Sequence, residues 1–417
     1  MATELVEGYK WKTISKRAML KVDLQKSFDT VNLNFVINTL IGLNFPASFI
    51  NRIKQCLTTT IFSISINGEM CGYFKGTQGL RQGDPLSPYL FVLVMEVFCC
   101  MLNGNFSAGK IGFHPKADLP KLTHLSFSDD IMVFFDGEKK SLENIAKTLY
   151  DFSKWSGLVM NRTKTDLFTG GLTQDETNGL TSLGFNLGSF PIRYLGLSLM
   201  HRRLRLADYR PLLDNLRARF SCWTNRTLSY AGCLQLLKSV IYGLLNFWFS
   251  AFILPKGCLI KIQSLCSRFL WSGDITKRCT AKISWDASCL PKEEGGLGLR
   301  NLSIWNRTLC PRLLWVLLTN PSSLWASWIK ENKTKQRIFW TIDINIQSSW
   351  TWKAILSLCH TATTLLKVKV GNGKLTSFWH DACTPYGPLI RHIGYHGPRE
   401  LGVPSDAIVS SVVSQEG

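Results

Sequence analysis

Asp129 and Asp130 are adjacent carboxylates at a place in the chain where they could hold a metal ion. Before them runs Leu122-Thr123-His124-Leu125-Ser126-Phe127 and after them Ile131-Met132-Val133-Phe134-Phe135, two apolar runs that predict a hairpin with Ser128, Asp129 and Asp130 at its tip. Adjacent carboxylates at such a tip repel each other unless a cation neutralises them, and hard divalent ions such as Mg2+ favour carboxylate oxygens. A lone Asp-Asp pair is ordinarily a solvated turn. The segments upstream argue otherwise.

The first of these is Met19-Leu20-Lys21-Val22-Asp23-Leu24-Gln25-Lys26-Ser27-Phe28-Asp29. An apolar strand delivers Asp23 at its end, and a helix resting on Phe35, Val36, Ile37, Leu40 and Ile41 follows, with Gly42 and Pro46 as stop signals. A carboxylate at a strand's end can meet one on a neighbouring hairpin while the sheet holds both. Asp29 reads as a structural residue near the helix start. The second segment is Gln78-Gly79-Leu80-Arg81-Gln82-Gly83-Asp84-Pro85-Leu86-Ser87-Pro88. Its two glycines let backbone approach a ligand closely, and Ser87 and Pro88 predict a helix cap and first position. The helix from Tyr89 to about Leu102 has Glu96 as its one charge and is expected to be buried.

In this order, KVDLQKSFD, QGLRQGDPLSP and FSDD resemble the reverse transcriptase domain of LINE-type (non-LTR) retrotransposons, particularly plant ones. Further strings extend the resemblance over about residues 1–395: SGLVMNRTKT after the hairpin, FPIRYLGLSL at a palm-to-thumb junction, then ISWDASCLPKEEGGLGLRNLSIWN and GNGKLTSFWHDACTPYGPL. The resemblance implies an α+β right-hand polymerase: an antiparallel palm sheet backed by helices, then a helical thumb. It implies that Asp23, Asp129 and Asp130 hold two Mg2+ ions, or Mn2+ in their place, for transfer of dNTPs to a DNA primer on an RNA template. Phe28 matches the aromatic that rejects a 2′-hydroxyl, although a core Phe is an equal reading. Gln82 and Gly83 match residues along the nascent base pair. Lys164 matches a lysine that protonates the leaving group, with a surface lysine as the alternative. Ser128 stands where the family more often has Ala.

The 48 Lys and Arg against 29 acids leave a net charge of +19, which suits a polyanion but does not separate a polymerase from a passive binder. Thirteen cysteines without a single C-x-x-C argue against a disulfide framework and a ribbon-type zinc site. No signal peptide is visible, and the apolar stretch from Ser239 to Pro255 is short for a membrane span, so it reads as a buried thumb helix. No membrane partner is expected. A nuclear site of action follows from the family by analogy alone.

Three regions are expected: a palm over 1–170, a junction and helical thumb over 171–300, and a Trp-rich connection over 301–417. Twelve of the 14 tryptophans fall between Trp223 and Trp379, and Leu212, Leu213, Leu216 and Phe220 are spaced as one helix face. The thumb's first residues are strongly basic, and Arg202, Arg203 and Arg205 are the candidate phosphate contacts. Trp305, Leu313, Leu314, Trp315, Leu317 and Leu318 suggest a helix. His380, Cys383, His392 and His396 lack the Cys pair of a zinc module. Compared with the family, only about 20 residues precede Asp23, so the fingers are expected to be missing, as are the zinc-binding module and any endonuclease. Phosphoryl transfer depends on positioning and charge neutralisation, so a copy without fingers is expected to be weak or inactive. The competing class is a non-catalytic, nucleic-acid-binding remnant.

Overall fold

The computed structural model describes residues 1–11, 13–224, 228–277, 280–335, 337–342 and 349–412. The chain forms two compact units, essentially Ala2–His201 and Arg202–Gly417. The first therefore takes in residues 171–201, assigned from sequence to the junction.

In the first unit, a short helix α1 (Ala2–Val6) precedes β1 (Arg17–Val22), the strand expected before Asp23. Helices α2 (Leu33–Gly42) and α3 (Ala47–Thr58) follow, then the hairpin β2 (Ile61–Ile66) and β3 (Glu69–Lys75) and the long helix α4 (Ser87–Ser107). The predicted hairpin is β4 (His124–Phe127) and β5 (Asp130–Phe135). After it come α5 (Lys139–Ser156), β6 (Asp166–Gly170), α6 (Gln174–Thr181), β7 (Asn186–Leu187) and the small hairpin β8 (Ile192–Tyr194) and β9 (Leu197–Leu199).

The main sheet runs β4-β5-β1-β6-β7, with β1 antiparallel to both β5 and β6. A central strand flanked on both edges must be apolar on both faces, and β1 is: Ala18, Met19, Leu20 and Val22 are all fully buried. Alternation sends Ala18, Leu20, Val22, Ile131, Val133, Phe135 and Leu167 into one core with the inner stripes of α2, α4 and α5. Met19, Met132, Phe134 and Phe168 belong to the opposite face. There Phe134 meets His114 edge-on, and Phe168 meets Phe190. The middle of that face is buried as well, so only the strand ends that reach past it are left for a site.

Helix α2 starts as expected, but Asn32 is its cap, its side chain accepting from the Asn34 and Phe35 amides. Pro46, read as a stop signal, caps α3. Helix α4 is long and apolar enough by composition to cross a membrane. It is buried along one stripe (Leu90, Phe91, Val94, Met95, Phe98, Leu102, Phe106), while Tyr89 and Val92 are exposed, so the expectation of a buried helix holds for that stripe alone. Its first turn also differs from expectation: Leu86 is the cap, and Asp84 does the bonding, accepting from the Leu86 amide (3.0 Å).

The second unit is helical: α7 (Arg210–Thr224), α8 (Tyr230–Leu236), a wider turn over Leu237–Ile241, α9 (Tyr242–Ala251), α10 (Lys256–Ser272), α11 (Trp285–Ser288), α12 (Leu302–Leu309), α13 (Pro311–Thr319), α14 (Leu324–Ile329) and α15 (Trp350–Leu356). The predicted face of α7 is buried, with Phe220 packed on Phe269 of α10 (4.8 Å between centroids). The apolar stretch from Ser239 stops at Ala251, and Pro255 already caps the next helix. The helix suggested around Trp305–Leu318 is two, α12 and α13. Pro311 has no N–H to donate back along a continuous helix and so starts a new one. Buried Asn306 satisfies the end of α9: its carbonyl accepts from the Leu254 amide (2.8 Å), and its amide donates to the Phe249 and Phe252 carbonyls.

Candidate active site

The register of β1 and β5 decides which carboxylates meet. Val22 pairs with Ile131, so the next antiparallel step brings Asp23 opposite Asp130. Directly opposed residues share a face, and this pair shares the parity of Met19, Met132 and Phe134. Both carboxylates therefore belong to the face away from the helices. Lys21 has the same parity, and its β6 partner is Asp166. The row Asp130, Asp23, Lys21, Asp166 thus sets one cation among three carboxylates along that face. Lys21 was not singled out from sequence, although the alternation Met19-Leu20-Lys21-Val22-Asp23 carried the signal.

The hairpin closes in two residues, because Phe127 pairs with Asp130 across Ser128 and Asp129. Ser128 takes φ 55°, the positive value that tight hairpin turns require at their first central position. Asp129 is exposed at the tip, and Asp130 is half-buried. Burial raises the Asp130 carboxyl above its ordinary value; Lys21 opposes the rise, and the charges of Asp129 and Asp23 add to it. An amide from the Leu195-Gly196 turn also bonds Asp130, that of Leu195. Both turn residues have positive φ (49° and 75°), which folds β8 onto β9 tightly enough to present that amide. Tyr194, beside it, has its hydroxyl pushed up to about 12 by burial and by the charge of Asp130. Leu195 was missed from sequence, since a backbone donor leaves no mark on residue type.

Asp23 is gripped through its backbone. Its amide donates to Thr165 Oγ1 (3.2 Å), and its carbonyl accepts from the Asn161 amide (2.8 Å). The turn Asn161–Lys164 that makes this grip leaves Lys164 exposed beside the site.

The glycine loop packs on the turn after Asp23. Leu80 N–H donates to the Phe28 carbonyl (2.6 Å) and Gly79 N–H to that of Val31 (2.8 Å). Gln82 Nε2 donates to Asp29 Oδ1 (3.3 Å), so Asp29 is structural, as expected, by holding the loop. Arg81 pairs with Asp84. The glycines serve different purposes. At Gly79 (φ 86°) a Cβ would lie 2.6 Å from the Asp29 carbonyl oxygen, whereas Gly83 (φ 90°) opens on empty space. Gly79→Ala is therefore expected to cost at least about 2 kcal/mol in urea denaturation, and Gly83→Ala no more than about 1. Equal costs would show that the loop does not press on that carbonyl.

A cleft of about 480 Å³ opens between these segments, lined among others by Phe28, Gln82, Gly83, Ser87 and Asp129. Its size is that of a small-ligand site. Phe28 stacks on Phe91 of α4 (4.7 Å, 19°), so it is at once a wall of the cleft and part of the core. The structure thus brings Phe28, Gln82, Gly83 and Asp129 together, with Asp23 and Asp130 adjoining through the sheet. Among the described residues no three His, Cys, Asp or Glu side chains are gathered closely enough to enclose a metal ion. Asp23, Asp129 and Asp130 stand in an open arrangement. Their oxygens, and the like-charge repulsion at Asp130, fit a hard divalent cation.

In the second unit the three candidate arginines divide. Arg202 is consumed: it grips Asp208 with both terminal nitrogens (2.8 and 3.2 Å). Asp208 also accepts from the Arg205 amide (2.6 Å), fixing the turn before α7. The side chains of Arg203 and Arg205 are exposed. Farther on, Asp381 organises the loop around His380 and Cys383, accepting from Trp340 Nε1 and the Ser377 amide, and a ring nitrogen of His392 bonds the Tyr386 carbonyl.

Residues 2–199 match the family described as reverse transcriptase (RNA-dependent DNA polymerase). The chain is 28% identical over 197 residues to an Arabidopsis thaliana protein named for ribonuclease H, covering 46% of this chain and 32% of that one. It is 24% identical to an uncharacterized 149 kDa protein of transposon TX1 from Xenopus laevis (68% and 21% covered). To the Pol polyprotein of the type-2 retrotransposable element R2DM of Drosophila melanogaster it is 27% identical (47% and 19%). A solved telomerase of Candida tropicalis, in complex with a fragment of telomeric RNA, aligns at 14% identity over 87% of this chain and 51% of that one, with a TM-score of 0.37. The first unit thus carries the reverse transcriptase match, with relatives of the non-LTR retrotransposon type, and the sheet described above lies within the matched residues. It spans a third or less of the length of these relatives.

Proposed function

We propose that the first unit performs RNA-directed DNA synthesis, adding dNTPs to the 3′-hydroxyl of a DNA primer on an RNA template. The observation that carries this reading is the register that sets Asp23 opposite Asp130, beside a cleft that Asp129, Phe28, Gln82 and Gly83 share. Two Mg2+ ions bound by Asp23, Asp129 and Asp130 would activate the attacking hydroxyl and neutralise the leaving pyrophosphate. Asp130, held by the Leu195 amide, and Asp23, held by Thr165 and Asn161, keep their carboxylates on one face. Gln82 and Gly83 flank the base of the incoming nucleotide. Lys164, exposed beside Asp23, donates a proton to the departing phosphate.

The test is primer extension on an RNA template, with wild type beside Asp129→Ala and Asp130→Ala. Synthesis that depends on both carboxylates supports the reading. The open arrangement of the carboxylates favours the second reading, a nucleic-acid-binding protein without synthesis. That reading prevails if wild type binds primer–template and extends nothing.

Phe28 walls the cleft where the sugar would lie, so Phe28→Ala is expected to raise ribonucleotide incorporation relative to dNTP by about tenfold or more. Its stack on Phe91 means that the variant also loses stability, and the ratio of the two rates is the quantity to read. An unchanged ratio in an active variant assigns Phe28 to the core alone.

A further inference from the structure

The second unit holds a pocket whose chemistry the polymerase site does not use. About 400 Å³ in volume, it is lined by Arg203, Tyr209, Pro255, Lys256, Trp350 and Lys353, with apolar neighbours. A second hollow of about 430 Å³ shares Arg203 and Pro255 with it and adds Arg205. No carboxylate lines either one. Among the described residues neither Arg203, Arg205, Lys256 nor Lys353 forms an ion pair, in contrast to Arg202. Three unpaired cations around the first pocket, Arg203, Lys256 and Lys353, repel one another, so the arrangement is at rest when an anion sits among them. The N-terminus of α10, where Pro255 is the cap residue and supplies no side-chain hydrogen bond, adds its partial positive charge on the same side.

Apolar and aromatic walls distinguish this pocket from a bare basic surface. Trp350 is half-buried, with one face stacked on Phe252 (5.8 Å, 28°), so its ring is held rigidly. Tyr209, Leu204 and Ile253 continue the wall. A cavity of this size admits one small ligand and excludes a double helix. A ligand that is anionic at one end, flat and apolar at the other, and suited to a chain with +19 net charge is a nucleotide.

We propose that the second unit binds one unpaired nucleotide of a single-stranded nucleic acid, with phosphate among Arg203, Lys256 and Lys353 and the base against Trp350. The proposal rests on the reading above for nucleic acid as partner. Its readout is single-strand affinity, whereas that reading is read by synthesis, so either can fail alone.

The test uses the full chain and a labelled oligo(dT), with a duplex of equal length as second ligand, in fluorescence anisotropy across a salt series. Lys256→Gln and Lys353→Gln, both exposed, are each expected to lower the slope of log affinity against log salt for the single strand by about 0.7. Trp350→Leu is expected to weaken single-strand binding roughly tenfold and leave that slope unchanged. Because Trp350 packs on Phe252, Trp350→Phe serves as the conservative partner and retains most of the affinity. Duplex binding should respond to none of these changes. An unchanged slope in both lysine variants overturns the proposal. So does equal loss for single strand and duplex, which would make the cations a general phosphate face.

Discussion

Asp130→Asn is expected to reduce RNA-templated primer extension by roughly 10³-fold or more while the protein stays folded. A carboxylate that neutralises charge in phosphoryl transfer acts in the transition state, and removal of one such electrostatic element costs several kcal/mol of barrier. The substitution keeps the shape of the side chain. It also removes a charge that the folded state tolerates poorly, since burial and the neighbouring Asp129 and Asp23 raise the Asp130 carboxyl. A loss of synthesis therefore cannot be ascribed to unfolding, and an unchanged or higher urea midpoint should accompany it. Asp129→Asn should lose activity to a similar degree, with less effect on stability because Asp129 is exposed. Extension that persists in both variants would end the polymerase reading.

The second large effect concerns acid stability and lies away from the site. His114 is fully buried, and its Nδ1 accepts from the Lys116 amide (3.1 Å). Its proton is thus on Nε2, which donates to the Tyr9 hydroxyl (3.2 Å). Burial first, then the charges of Arg17 and Lys116, push this imidazole down to about 3. The unfolded chain takes up a proton near the ordinary histidine value of about 6.5, and the folded chain does not until about pH 3. Stability is therefore fully present above pH ~6.5 and falls with acidification by up to ~1.4 kcal/mol per pH unit, until folded His114 itself titrates. His124, also lowered by burial, adds in the same direction. His114→Asn can place a carbonyl oxygen where Nδ1 accepts and cannot ionise. Its urea midpoint should depend less steeply on pH between about 4 and 6 than that of wild type. Equal slopes would show that His114 does not carry the linkage.

Much of the palm was legible because it is built from short-range rules. Short apolar runs marked β1 and β5, and residues that tolerate turns marked the hairpin between β4 and β5. Helical spacing marked α2 and α7. Where local reading failed, the competing rule was often local too. Pro311 divides α12 from α13, and Asp84 rather than Ser87 bonds the first turn of α4. The expectation that both glycines of the loop attend a ligand erred for a different reason. Gly79 is required by the Asp29 carbonyl, a contact between segments 50 residues apart.

The sequence by itself determined the chemical character of this protein: three carboxylates at a strand end and a hairpin tip, an excess of positive charge, and ordered motifs that resemble a family. These are properties of residue type and spacing, which survive in an unfolded chain. Tertiary structure decided which groups act together. Pairing of β1 with β5 set Asp23 opposite Asp130, and a one-residue slip would have turned one of them toward the helices. Folding brought the Leu195 amide to Asp130, tied Arg202 to Asp208, and left Arg203, Lys256 and Lys353 around one pocket. Which cation is neutralised and which remains free depends on distances across the fold, and composition holds no record of them.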